Sequence, residues 1–129
     1  MSLRANIDRL AEQTVASIDL EELRIGPTAA LFEGGPRAGA GITMFIVRTP
    51  PAAFVELHVH PYRETFVLLE GAGRWTAGDT VLDVRAERVI SVPAETPHGF
   101  RNTGDAPLLV VAIHESPVLV QDFLGREPA

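Results

Sequence analysis

From Thr28 onward the chain breaks into short runs rich in valine, isoleucine and aromatic residues, each closed by glycine, proline or a polar turn. This texture constrains the fold more than any other feature, because runs of that length fit strands and leave no room for helices of ordinary size. The spacing predicts strands over Ala29–Phe32, Gly41–Arg48, Ala53–His60, Thr65–Glu70, Gly73–Thr76, Thr80–Val84, Arg88–Val92, His98–Asn102 and Leu108–Glu115. Between them stand Gly34-Gly35-Pro36, Pro50-Pro51, Gly71-Ala72-Gly73, Gly78-Asp79, Ala94 to Pro97 and Gly104-Asp105, the residues that turns demand. Short strands this closely spaced predict an all-β antiparallel sandwich or barrel. After Pro117 the tail Val118 to Leu124 fits either a further strand or a helical turn.

The segment ahead of the strands reads differently. Leu3, Ile7, Leu10, Ala11, Thr14 and Val15 recur at three- and four-residue spacing behind a possible cap at Ser2, which predicts a helix. Asp19 and Glu22 have capping-box spacing, and Gly26-Pro27 stops any helix there. Residues 1–25 are read as an N-terminal helix and connecting arm, and residues 26–129 as one barrel domain, in keeping with a length of 129 residues.

Charge and composition remove several function classes. The net charge is −6, and all 11 basic residues are arginines scattered from Arg4 to Arg126. An anionic partner is repelled by that balance, so neither nucleic acid nor an acidic membrane surface is expected. No run approaches the roughly 20 apolar residues of a membrane span, and the first residues carry no apolar core of signal-peptide length, so the expected location is the cytoplasm. The chain has no lysine and no cysteine. Schiff-base chemistry, thiol nucleophiles and thiolate metal sites are therefore excluded, and a metal would have to sit on imidazole or carboxylate.

The histidines are His58, His60, His98 and His114. In a strand, residues two apart share a face, so His58 and His60 project together while Leu57 and Val59 pack on the other side. Pro61 cannot donate to a ladder and breaks the strand, which lets the chain turn and bring Glu64 back toward that face. A distant strand that opens Pro93-Ala94-Glu95-Thr96-Pro97-His98 supplies a further imidazole on a stiffened approach.

With these residues the sequence resembles the cupin superfamily. Its first motif, His-x-His, three residues, Glu, six residues, Gly, is matched by His58, His60, Glu64 and Gly71. Its second motif, Pro, four residues, His, three residues, Asn, is matched by Pro93, His98 and Asn102. Three glycines usual in the family are absent: Ala52, Glu87 and Glu95 stand in their turn positions. The match runs from about Thr28 to Ser116. It implies a double-stranded β-helix, or jelly-roll barrel, of short antiparallel strands around one divalent transition metal held by His58, His60, Glu64 and His98. Three imidazoles and a carboxylate suit iron, manganese, nickel, copper or zinc without choosing among them.

The same resemblance implies a metal-dependent enzyme of oxygenase type acting on a small organic molecule in the barrel. A metal-dependent isomerase or lyase and a non-catalytic ligand-binding module are the alternatives; a metal-free epimerase is disfavoured by the complete ligand set. Tyr62, in the turn beside the ligands, and His114 are candidate catalytic residues, though a histidine ending the run Leu108 to Ile113 is expected to face solvent. Alternation from Glu64 puts Phe66 and Leu68 inward as core. Trp75 is expected in core or interface packing, and Arg48, Arg63 and Arg101 are candidate clamps for a substrate carboxylate. An apolar outer sheet face and the N-terminal arm predict a homodimer.

Overall fold

The structure, a computed structural model, describes residues 15–129. The helix predicted from Leu3 lies outside the described residues but for Val15. The arm that follows holds a 3-10 turn, Leu20–Leu23, capped by Asp19, whose side chain accepts from the Glu21 amide. Leu23 is the buried residue of that turn.

The barrel is built from β1 (Ala29–Glu33), β2 (Thr43–Thr49), β3 (Phe54–Val59), β4 (Glu64–Glu70), β5 (Ala72–Ala77), β6 (Thr80–Arg85), β7 (Arg88–Val92), β8 (His98–Asn102), β9 (Leu108–His114) and β10 (Asp122–Phe123). These form two five-stranded antiparallel sheets, in the orders β1-β2-β9-β4-β7 and β10-β3-β8-β5-β6. Every predicted strand is present with ends within two residues of the expectation, and the ambiguous tail supplies only the two-residue β10. One element was not expected: Gly34–Ala38 is a short helix, α1, closed by Gly39 at φ +63°. Gly-Gly-Pro reads as a turn, but Gly39 in the left-handed conformation caps the segment through its amide. Among the described residues no helix is long and apolar enough to cross a membrane.

The core lies between the sheets and follows from alternation. On β9, Leu108, Val110 and Ala112 point inward with His114 continuing the same face, and on β4 Phe66 and Leu68 do so behind Glu64. Trp75 is fully buried, stacked on Phe100 at 4.5 Å and edge-on to Phe66 at 5.5 Å. These apolar side chains fill one end of the space between the sheets, and the polar ends of four strands fill the other.

Candidate metal centre

Each sheet contributes a pair of directly opposed residues to that polar end. His58 on β3 faces His98 on β8, and Glu64 on β4 faces His114 on β9. The first pairing depends on an irregularity between Val55 and His58 that shifts the β3–β8 register. Gly99 makes room for it, because a Cβ there would lie 2.5 Å from the Val55 carbonyl oxygen. His60 follows β3, and Pro61 opens the turn that brings Glu64 back, as the sequence predicts.

The ligating atoms of His58, His60, Glu64 and His98 all lie within 4.8 Å of one another, and all four residues are buried. Glu64 Oε1 is 2.9 Å from His60 Nε2, 2.7 Å from His98 Nε2 and 3.9 Å from His58 Nε2. The outer nitrogens settle the tautomers. His58 Nδ1 donates to the Glu56 carbonyl at 2.7 Å, His60 Nδ1 to the Val120 carbonyl at 2.9 Å and His98 Nδ1 to the Thr96 carbonyl at 2.8 Å. A carbonyl can only accept, so each ring carries a proton on Nδ1; Nε2 is then left to offer a lone pair inward to a metal or, for His60 and His98 with a second proton in the metal's place, to donate to Glu64 Oε1. Converging lone pairs and a carboxylate oxygen repel unless a cation or a proton lies among them. This buried donor set fits one divalent metal.

Electrostatics agree with the geometry. Burial pushes the His58 imidazole down to about 4, so it is neutral and able to ligate near neutrality. Burial alone would raise the Glu64 carboxyl, but its contacts with His114, His60 and His98 outweigh burial and hold it well below the usual carboxylate range. Burial raises the Tyr62 phenol.

His114 corrects an expectation. It is buried rather than facing solvent, because the alternation that turns Leu108, Val110 and Ala112 inward turns His114 inward too. Its Nε2 lies 3.0 Å from Glu64 Oε2, and its Nδ1 is 2.7 Å from the Tyr62 hydroxyl. The arginines are corrected as well. Arg48 pairs with Glu70, Arg63 donates to Ser91, and Arg101 lies over the Phe54 ring and near Glu127, all away from the centre. Exposed partners of these kinds cannot clamp a substrate at the metal.

A cavity of about 210 Å³ opens on the cluster. Its walls include Phe45, Val47, Val55, Phe66, Phe100, Val110 and Phe123, with His58, Glu64 and His114 at the polar end and Gln121 beside them. Among the described residues no arginine lines it. Gln121 and Phe123 belong to the C-terminal segment, which crosses β3 through bonds from the Leu124 amide to the Leu57 carbonyl and from the Leu57 amide to the Arg126 carbonyl, both 2.9 Å. The contribution of this segment was not anticipated from the sequence.

The cupin domain family matches residues 45–114, which contain every residue of the cluster. The chain belongs to the cupin family. Its curated relatives include the polyketide synthase CurC of Streptomyces cyaneus, 33% identical over 77 residues, a match that covers 59% of this chain and 49% of that protein. Protein SchB of Streptomyces halstedii is 29% identical over 104 residues, 80% of this chain and 75% of that one. The chain thus spans about half of CurC and three quarters of SchB. Among solved structures, the oxalate decarboxylase of Bacillus subtilis, described with Mn(II) centres, superposes with a TM-score of 0.70 at 23% identity, over 89% of this chain and 30% of that one. At that identity the likeness is one of fold.

Proposed function

We propose that this cupin is a metal-dependent enzyme of oxygenase type whose substrate is a small, uncharged, largely apolar molecule with a chelating oxygen head. The observation that carries the reading is the aromatic and aliphatic cavity that ends on the His58, His60, Glu64 and His98 cluster. Those four side chains would hold the metal, which supplies Lewis-acid polarisation of bound oxygens and, as iron(II), a partner for dioxygen. Among the described residues the cavity has no arginine to balance a dianion, so a substrate like oxalate is poorly matched in charge. Phe45, Phe66, Phe100 and Phe123 suit an aromatic or enolised ketone skeleton instead, in line with the similarity to a polyketide synthase.

The test is reconstitution with iron(II), manganese, nickel, copper or zinc and measurement of oxygen uptake with phenols, 1,3-diketones and thiols. Uptake with a phenol or diketone supports the reading. A flat trace with every metal sinks the oxygenase assignment.

The pairing of half-buried Tyr62 with buried His114 favours a second reading, metal-assisted isomerisation or lyase chemistry, because it places an imidazole on the cavity wall. Conversion of a diketone under argon at the aerobic rate selects it. The proposal also includes a homodimer, supported by the exposed Val81 and Leu82 on edge strand β6 and Val89 on edge strand β7. Sedimentation showing monomer alone rules that out.

A further inference from the structure

His58, His60 and His98 are held alike, each by a backbone carbonyl on Nδ1. His114 is held by a side chain. The Val120 amide donates to the Tyr62 hydroxyl oxygen at 3.3 Å, which leaves that hydroxyl's own proton to point at His114 Nδ1, 2.7 Å away. With Tyr62 as donor, His114 carries its hydrogen on Nε2, 3.0 Å from Glu64 Oε2. The contact is short but off-line, and among the described residues no other acceptor reaches that buried nitrogen. The two oxygens of Glu64 are therefore divided: Oε1 faces His60 and His98, and Oε2 faces His114.

We propose that His114, oriented by Tyr62, is a positioning residue that holds Glu64 by Oε2 and so restricts it to one oxygen toward the metal. The inference rests on the metal reading above. A carboxylate free to turn about its last bond can offer both oxygens and occupy two coordination positions. One tethered by Oε2 would offer Oε1 alone to a metal, beside the cavity whose wall His114 helps to form. His114 is not a fifth ligand in this arrangement, since its Nε2 addresses the carboxylate oxygen turned away from the other imidazoles.

The arrangement also gives the C-terminal segment a part in the site. Val120 alone serves two of the four histidines, its carbonyl fixing His60 directly and its amide fixing His114 through Tyr62.

The experiment uses the full chain titrated with Mn(II) and read by electron paramagnetic resonance. His114→Leu is expected to weaken Mn(II) binding about 10- to 100-fold, the range for partners that orient a ligand, and to alter the zero-field splitting as Glu64 becomes bidentate. His114→Gln keeps an N–H donor and is expected to recover most of the affinity and the original spectrum, while Tyr62→Phe falls between. Pulsed measurements on the unaltered protein are expected to count three coordinated imidazoles. A fourth imidazole overturns the inference, as does a His114→Gln or Tyr62→Phe protein matching His114→Leu in every respect, or a folded His114→Leu protein with unchanged affinity and splitting. Failure of the unaltered protein to take up Mn(II) overturns the metal reading, and this inference with it.

Discussion

His58 and His98 are directly opposed across the β3–β8 ladder, their ring centroids 4.4 Å apart. Imidazoles so placed bring two ring nitrogens within reach of one cation. Replacing either by alanine is expected to lower Mn(II) affinity by more than about 100-fold, beyond the loss caused by partners that merely orient a ligand. Calorimetric titration checks this, with circular dichroism confirming that the barrel persists. Affinity retained in His98→Ala would remove that residue from the ligand set.

The metal-free protein is expected to lose stability on mild acidification. His58 has a folded value of about 4 against 6.5 in a peptide, so between those limits the unfolded chain binds a proton that the folded one excludes. Stability is therefore full above pH 6.5 and falls as pH drops toward 4, by up to about 3 kcal/mol at about 1.4 kcal/mol per unit. Glu64, held below the usual carboxylate range, contributes stability above its unfolded value that is lost only at lower pH, so it does not mask this window. Urea titrations at pH 7, 6 and 5 measure the slope, and a His58→Gln protein should lose most of it.

Ala52, Glu87 and Glu95 have φ of 68°, 68° and 61°, and they stand where the family carries glycine. The turns keep the left-handed geometry because their amides are committed, Ala52 to the Asn102 carbonyl, Glu87 to that of Leu68 and Glu95 to that of His60. A side chain there costs roughly 1–2 kcal/mol, of which glycine would recover part, since it loses more freedom on folding by about 0.5–1 kcal/mol. Each change to glycine is expected to stabilise by about 0.5–1 kcal/mol and raise the melting temperature by a few degrees. Calorimetry on the three single variants, with Glu87→Ala as a control that should change little, decides it; a lower melting temperature in all three glycine variants would refute the strain.

The strands were legible because period-two alternation and turn residues are local, and the four clustered side chains were legible because their spacing repeats a known pattern. His114 was misjudged, although the rule that assigns Phe66 and Leu68 applies equally from Leu108: every second residue faces inward as far as the strand is covered. Nothing local marks Val120, Gln121 or Phe123, because their placement comes from a return of the chain across β3 that pairs only two residues. The arginines failed as clamps for a related reason. Periodicity says which face of a strand a residue is on, but not whether Glu70, Ser91 or Phe54 waits there to engage it.

Asn102, the last residue of the second motif, holds loops and not metal. Its buried amide nitrogen donates to the Thr49 carbonyl at 2.9 Å and the Ala106 carbonyl at 2.8 Å, while Oδ1 accepts from the Gly104 amide at 2.8 Å. Truncation leaves a buried carbonyl without a donor in addition to losing the bonds, at about 1 kcal/mol for each bond and 1–3 kcal/mol for each stranded group. Asn102→Ala is therefore expected to cost about 4–6 kcal/mol. Asn102→Asp should be worse despite its matching shape, because a carboxylate oxygen would face two carbonyl oxygens and must take up a proton or break the contacts. Both variants should bind Mn(II) with unchanged affinity where they remain folded. Urea midpoints and metal titration read the two effects separately, and a metal affinity that falls with stability in Asn102→Ala would place the residue in the support of His98 instead.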